Sequence, residues 1–279
     1  VYLSLHTSNF SSTCYESFWE ASLESKQNIT DIAPGFLKDF LPFISPKLFE
    51  IINIPDLSIK MSKMGFNYLF NSGVDGHSKK LEDQLPVNIE FQTLDSEFSE
   101  NSKITNKAYG ESVLELFFSQ IRAEGAIFLD LRSERFNLGD ETIFFEANGM
   151  WFDFSRCFRA GLSEVYEGFY EQKEDVFEKG LIKIKLIDES DSEEIKNEMK
   201  KLFSAHFGEA LNTPIKFSMK DFQDSFHQVF SFLFKQGKQL PSEFTFLGIF
   251  LVTLYLNLSS VDEKLDVKAA YSRANLKDS

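Results

Sequence analysis

Apolar residues recur along this chain with two different periods, and the change of period divides it. From Gly110 to Gly125, Val113, Leu114, Leu116, Phe117, Phe118 and Ile121 fall at core spacing, which predicts a helix from about Glu111 to Ala123. The run Ile127-Phe128-Leu129-Asp130 comes next, then a polar loop from Leu131 to Asp140. Two short strands are expected near residues 142–146 and 149–153, with Asn148-Gly149 closing a tight hairpin between them. Upstream, Val87 to Phe91 reads as another short strand. Downstream the helical period dominates. Ser190-Asp191-Ser192-Glu193 has the form of a capping box, opening an acidic helix that runs to about His206. Asp221 to Phe234 carries Phe222, Phe226, Val229, Phe230 and Leu233 along one side, and Gln239 to Leu258 is the most apolar helix of all. The run Gly180 to Ile187 alternates, which suits either a strand or the end of a helix.

The first 85 residues carry weaker signals. Val1 to His6 alternates as a half-buried strand does. Pro34, Pro42, Pro46 and Pro55 are expected to cut the next stretch into short helical pieces, one of them starting at Ser45-Pro46. Asn71 to Gly76 reads as a loop. Strands in the first half and helices in the second predict an α+β fold with a mostly helical C-terminal lobe. Its expected division is a segment 1–85 and a helical domain 86–279.

Composition narrows the function. Hydrophobic residues make up 43% of the 279, and 32 are phenylalanine, so the chain has ample material for a core. A net charge of −14 and a pI near 4.8 argue against nucleic acid as a partner, because no basic field faces a phosphate backbone. The same charge disfavours docking on anionic lipid. Two cysteines far apart, Cys14 and Cys157, offer no disulfide framework or zinc site, as expected of a reducing, cytoplasmic setting. The longest apolar run, Phe244 to Leu258, falls short of the roughly 20 residues a bilayer needs, so a buried helix is expected there. Asn9, Asn28 and Asn257 match the glycosylation pattern by chance in such a setting. His6, His77, His206 and His227 lie apart with no ligand spacing, and no Ser-His-Asp or Cys-His arrangement can be read.

The order helix, Asp-bearing loop, strand, strand, Asp153-Phe154-Ser155 is that in which a protein-kinase-like fold presents its catalytic loop and metal-binding Asp-Phe-Gly. The segment Gly125-Ala126-Ile127-Phe128-Leu129-Asp130-Leu131-Arg132-Ser133-Glu134-Arg135 resembles the G-F-F-H-A-D-P-H-P-G-N motif of the UbiB/AarF family of atypical kinases, linked to ubiquinone biosynthesis. Arg156 to Ser163 is similar to that family's G-R-V-G-R-L-S, Lys235 to Glu243 to its H-G-L-K-L-P-P-E, and Leu258 to Asp262 lies near its L-D-P. Pro86 to Phe91 resembles its interlobe V-L-V-M-E-F. The resemblance covers roughly residues 86 to 271.

That resemblance implies a kinase-like fold with a reduced N-terminal lobe. It implies Asp130 as the base, Asp153 and Asn137 as magnesium ligands, and Glu90 as the interlobe residue beside a nucleotide. It also implies that Asp130 and Asp153 face one cleft. The chain departs from the family at several reactive positions. Phe128 stands for His, Arg132-Ser133-Glu134 for His-Pro-Gly, Arg135 for the metal-binding Asn, and Ser155 for Gly. Placing Val1 to Leu5 as the lysine-bearing strand puts Ser4 at the phosphate-gripping lysine. The expected function is therefore a degenerate, kinase-like binding or regulatory protein with weak or no affinity for ATP and magnesium. Its partner is expected to be a protein or a lipid- or quinone-like molecule, reached from the cytoplasm or at a membrane surface. The alternative is an active atypical kinase or ATPase whose phosphate loop and lysine precede Val1.

Overall fold

The computed structural model describes residues 46–206, 211 and 213–275, so the expected strand at Val1 to His6 and the position of Ser4 lie outside the described residues. Helix α1 (Pro46–Glu50) carries proline in its first turn, where a missing N–H costs nothing. Helix α2 (Ile54–Phe70) is long and unbroken. Pro55 opens it rather than cutting it, and the Asn53 side chain accepts from Asp56 N at 3.0 Å to cap it. The helix ends at Asn71 in the left-handed region, and Gly73 leads into α3 (Val74–Leu81). The loop expected over Asn71 to Gly76 therefore stops at Gly73.

Strand β1 (Ile89–Phe91) precedes helix α4 (Asn106–Arg122). The helix starts earlier than its apolar stripe suggests because Thr105 caps it, accepting from Ala108 N at 3.2 Å. Then come β2 (Ile127–Phe128), β3 (Phe136–Leu138), β4 (Ile143–Phe145) and β5 (Trp151–Phe152). Strand β4 lies between β1, its parallel partner with Ile89 opposite Ile143, and β3, its antiparallel partner with Phe136 opposite Phe145. Strand β2 pairs with β5, Ile127 opposite Phe152.

Two strands were expected near 142–146 and 149–153, and both are present, but not as one hairpin. Strands β4 and β5 belong to different sheets. The hairpin instead joins β3 to β4, with Gly139 N donating to Thr142 O at 2.8 Å, so the expected polar loop holds a strand. Asn148-Gly149 serves another purpose. The α2 backbone passes directly over Gly149, where a Cβ would come within 2.0 Å of Asn67 O.

The remainder is helical, as expected of an α+β chain with a helical second half. Helices α5 (Arg156–Tyr170) and α6 (Glu174–Lys183) pack tightly on each other, the ambiguous run at Gly180 closing α6. Helix α7 (Glu193–His206) is capped by Ser192, whose Oγ accepts from Ile195 N at 3.4 Å, rather than by Ser190. Helices α8 (Met219–Lys235), α9 (Glu243–Val261) and α10 (Val267–Asn275) complete the described fold.

Helix α9 is apolar all round and runs through the core, as such a helix must in a globular domain. By length and composition it is long enough to cross a bilayer, and it is the one described helix that is, yet 78% of its apolar window is buried inside the fold. Phenylalanine dominates the packing. Phe246 of α9 stacks on Phe152 of β5 at 3.8 Å, and Phe250 stacks on Phe117 of α4 at 4.7 Å. The first contact fixes the β2–β5 sheet against the helical body, and the second joins α9 to α4.

Candidate functional site

The loop after β2 is held by side chains reaching its backbone from two helices. From α4, buried Gln120 accepts from Phe128 N at 2.8 Å, completing β2 as a neighbouring strand would. From α9, Thr253 Oγ1 donates to Leu129 O at 2.5 Å. One turn on, Asn257 Nδ2 donates to Leu131 O at 2.7 Å. Leu129 N donates to Met150 O at 2.8 Å. The carbonyls on either side of Asp130 are thus satisfied inside the core, where an unpaired one would be costly. Asn257 also meets the Tyr109 hydroxyl, whose pKa burial pushes up to about 12. Being buried, Asn257 is no glycan acceptor.

Asp130 itself is 2% exposed. Arg132 grips it through two parallel bonds, Nε to Oδ1 at 2.7 Å and Nη2 to Oδ2 at 2.8 Å. Asn148 Nδ2 donates to the same Oδ2 at 2.9 Å. Arg135 Nε, buried, lies 3.8 Å from Oδ2. The guanidinium groups continue outward, Arg132 to Glu134 at 2.8 Å and Arg135 to Glu146 at 3.3 Å. The hydrogen bond to Asp130 is the main cause holding the Arg132 pKa above its ordinary value. Arg132 also feels the Tyr68 hydroxyl, which α2 brings over this loop. The elbow between α2 and α3 docks beside it, with Trp151 Nε1 donating to Ser72 O at 2.8 Å and the His77 ring 4.1 Å from Trp151.

Asp153 has a different setting. It is exposed at the end of β5, and its charge acts on His77 and Arg159. Burial lowers the pKa of both bases, and Asp153 opposes that. Arg159 donates to the carbonyls of Ala123 and Gly125, closing the end of α4. The two residues after Asp153 have structural duties. Phe154 is buried and stacks on Phe158, and Ser155 caps α5 by accepting from Phe158 N at 3.3 Å. Asp130 is thus turned to Arg132, Arg135 and Asn148, and Asp153 acts on His77 and Arg159.

Asn137 lies on β3, and its Nδ2 donates to Gln92 Oε1 at 2.8 Å. Glu90 is exposed on β1, in register with Phe144. The residues that the sequence set aside for one site are therefore distributed over a loop, a strand end and two sheet positions. The part that Asn148, Thr253 and Asn257 play in organising the Asp130 loop escaped the sequence reading. An Asp with an Arg two residues on was the one local sign of this lock.

The set does not fit magnesium. Both Asp130 oxygens already accept hydrogen bonds, and two guanidinium groups stand where a cation would need oxygen ligands. Among the described residues no group of three or more His, Cys, Asp or Glu is arranged to hold a metal. Two apolar cavities of about 10 and 40 Å³ lie in the helical body, and neither is lined by Glu90, Asp130, Asn137 or Asp153. No protein-family model matches the chain, and no curated protein matches it.

Proposed function

We propose that this chain is a degenerate kinase-like protein, of the UbiB/AarF type that its motifs resemble, and that it works by binding rather than by phosphoryl transfer. The observation that carries this is the state of Asp130. A catalytic base must turn a free oxygen towards the acceptor hydroxyl and take up its proton. Here both oxygens accept from Arg132, one of them from Asn148 as well, and the carboxylate is buried.

Arg135 stands at the position of the family's second metal ligand and brings a positive charge there, so magnesium is opposed by Coulomb repulsion as well as by missing oxygens. Asn137, the alternative ligand, has its amide engaged with Gln92. The role left to such a frame is to present a surface to a protein or to a lipid- or quinone-like partner.

The test is thermal unfolding of the full chain with and without ATP and magnesium, together with ATP hydrolysis. A ligand at 100 times its Kd adds about 2.7 kcal/mol to a folded state that binds it. No more than a slight shift and no hydrolysis are expected. Hydrolysis above background that Asp153→Ala abolishes would establish the active-kinase alternative.

A further inference from the structure

The three-stranded sheet has two edges, and among the described residues the chain closes only one. Past β3, the loop before α4 meets the backbone, Ser99 N donating to Leu138 O at 2.8 Å and Lys103 N to Asp140 O at 2.9 Å. The outer edge of β1 is different. Residues along a parallel strand turn their N–H and C=O alternately towards the neighbouring strand and away from it. Asn88 O accepts from Ile143 N at 2.8 Å and Gln92 N donates to Phe145 O at 2.9 Å, so Glu90 between them faces β4 as well. Ile89 and Phe91 therefore turn their backbone groups outward. Ile89 N donates to Pro86 O at 2.9 Å. The Ile89 carbonyl and both backbone groups of Phe91 have no backbone partner among the described residues. An edge left open in this way is a template for an added strand.

The surroundings of the edge define the strand that fits it. Val87 and Leu94 flank β1 before and after and stand 93% and 105% exposed, and Phe98 is 56% exposed. Large apolar residues left open together mark an interaction surface. From Glu82 to Glu100 the chain carries six carboxylates, all exposed, and no base. The next base, Lys103, is engaged by Asp140 at 2.7 Å and Glu141 at 3.2 Å. A rim of one sign steers in a partner of the other. A second copy would set these carboxylates against their equivalents, and an anionic membrane would repel them too. Side chains of an added strand alternate between the two faces of the sheet. At β1 one face is apolar, with Ile89 buried and the Phe91 ring 5.9 Å from that of Phe145, and the other bears exposed Glu90. We infer that the outer edge of β1 takes up an extended segment of a partner protein in which apolar and basic residues alternate. This partner rests on the binding role proposed above, and ATP hydrolysis and peptide binding are separate readouts, so either can fail without the other.

The experiment is binding of a fluorescein-labelled peptide of alternating valine and lysine to the full chain, read by anisotropy, with amide hydrogen exchange alongside. Saturable binding is expected. The Phe91 amide should exchange freely in the chain alone and be slowed roughly tenfold by the peptide. The same peptide with its amides N-methylated cannot pair along the edge, and the same peptide with glutamate for lysine meets the acidic rim. Each should bind roughly tenfold more weakly. Val87→Ser with Leu94→Ser, and Glu90→Gln with Asp95→Asn, change only exposed side chains, and each pair should weaken the lysine peptide by roughly tenfold. No binding, equal binding of the methylated peptide, or unchanged affinity in either double variant would overturn the proposal. So would a Phe91 amide already protected in the chain alone, which assigns the edge to the chain itself. A dimer in sedimentation that Val87→Ser with Leu94→Ser abolishes would assign it to a second copy, and binding to phosphatidylcholine vesicles that the same variant loses would assign it to a membrane. Both would equally overturn the proposal.

Discussion

Asp130 and Asp153 come from the same short loop-and-strand unit, and their surroundings differ in every respect that matters chemically. Asp130 is buried, gripped by Arg132 and Asn148, and sits on a loop whose carbonyls are held by α9. Asp153 is exposed at a strand end, next to a buried phenylalanine and a helix cap that set the local backbone. A carboxylate on a loop between a helix and a pair of short strands is therefore not yet a reactive group. What decides is whether its oxygens are free, and at Asp130 the chain's own Arg132 and Asn148 have taken them. The contrast also separates two kinds of dependence. Structure leans on Asp130, whereas little leans on Asp153.

The contrast is sharpest under removal of Arg132. Arg132→Met leaves a buried carboxylate without its main partner, and denaturant unfolding should show a loss of about 3–5 kcal/mol. A loss below 1 kcal/mol would mean that Asp130 is solvated and available. Next comes Gly149→Ala, where the new methyl group meets the α2 backbone rather than a yielding side chain. A loss of about 3 kcal/mol is expected, since α2 must move away from the loop.

Asn257→Ala strips a donor from the buried Leu131 carbonyl and a partner from Tyr109, and about 2 kcal/mol should be lost. The smallest effect belongs to Asp153→Ala, expected to stay within about 0.5 kcal/mol in the same unfolding assay. A larger loss there would erase the distinction between the two aspartates.

Much of the frame was legible in the sequence. The helix before Asp130 and helix α8 announced themselves through apolar spacing, which reports burial on one face, the strands at Ile143 and Trp151 and helix α9 through apolar runs, and α7 through its capping residues. Strand pairing was not legible. Asn148-Gly149 has hairpin chemistry, yet Gly149 is there for the close passage of α2, and Asn148 turns its amide to Asp130. That information lies in tertiary contact and leaves no local period. Helix α2 was hidden for another reason. Proline at its first turn looks in sequence like a breaker, although at that position it starts a helix. The site was the least legible part, because the partners of Asp130 come from Arg132 nearby, Asn148 across a hairpin, and α9 more than a hundred residues on.

The most direct test of the lock is a double-mutant cycle on Asp130 and Arg132 by denaturant unfolding. Asp130→Asn and Arg132→Met should each be strongly destabilising, and the double variant should lose much less than their sum, with a coupling of about 2–3 kcal/mol. Additive losses, with Asp130→Asn close to neutral, would contradict the account and return Asp130 to the role of a free, reactive carboxylate.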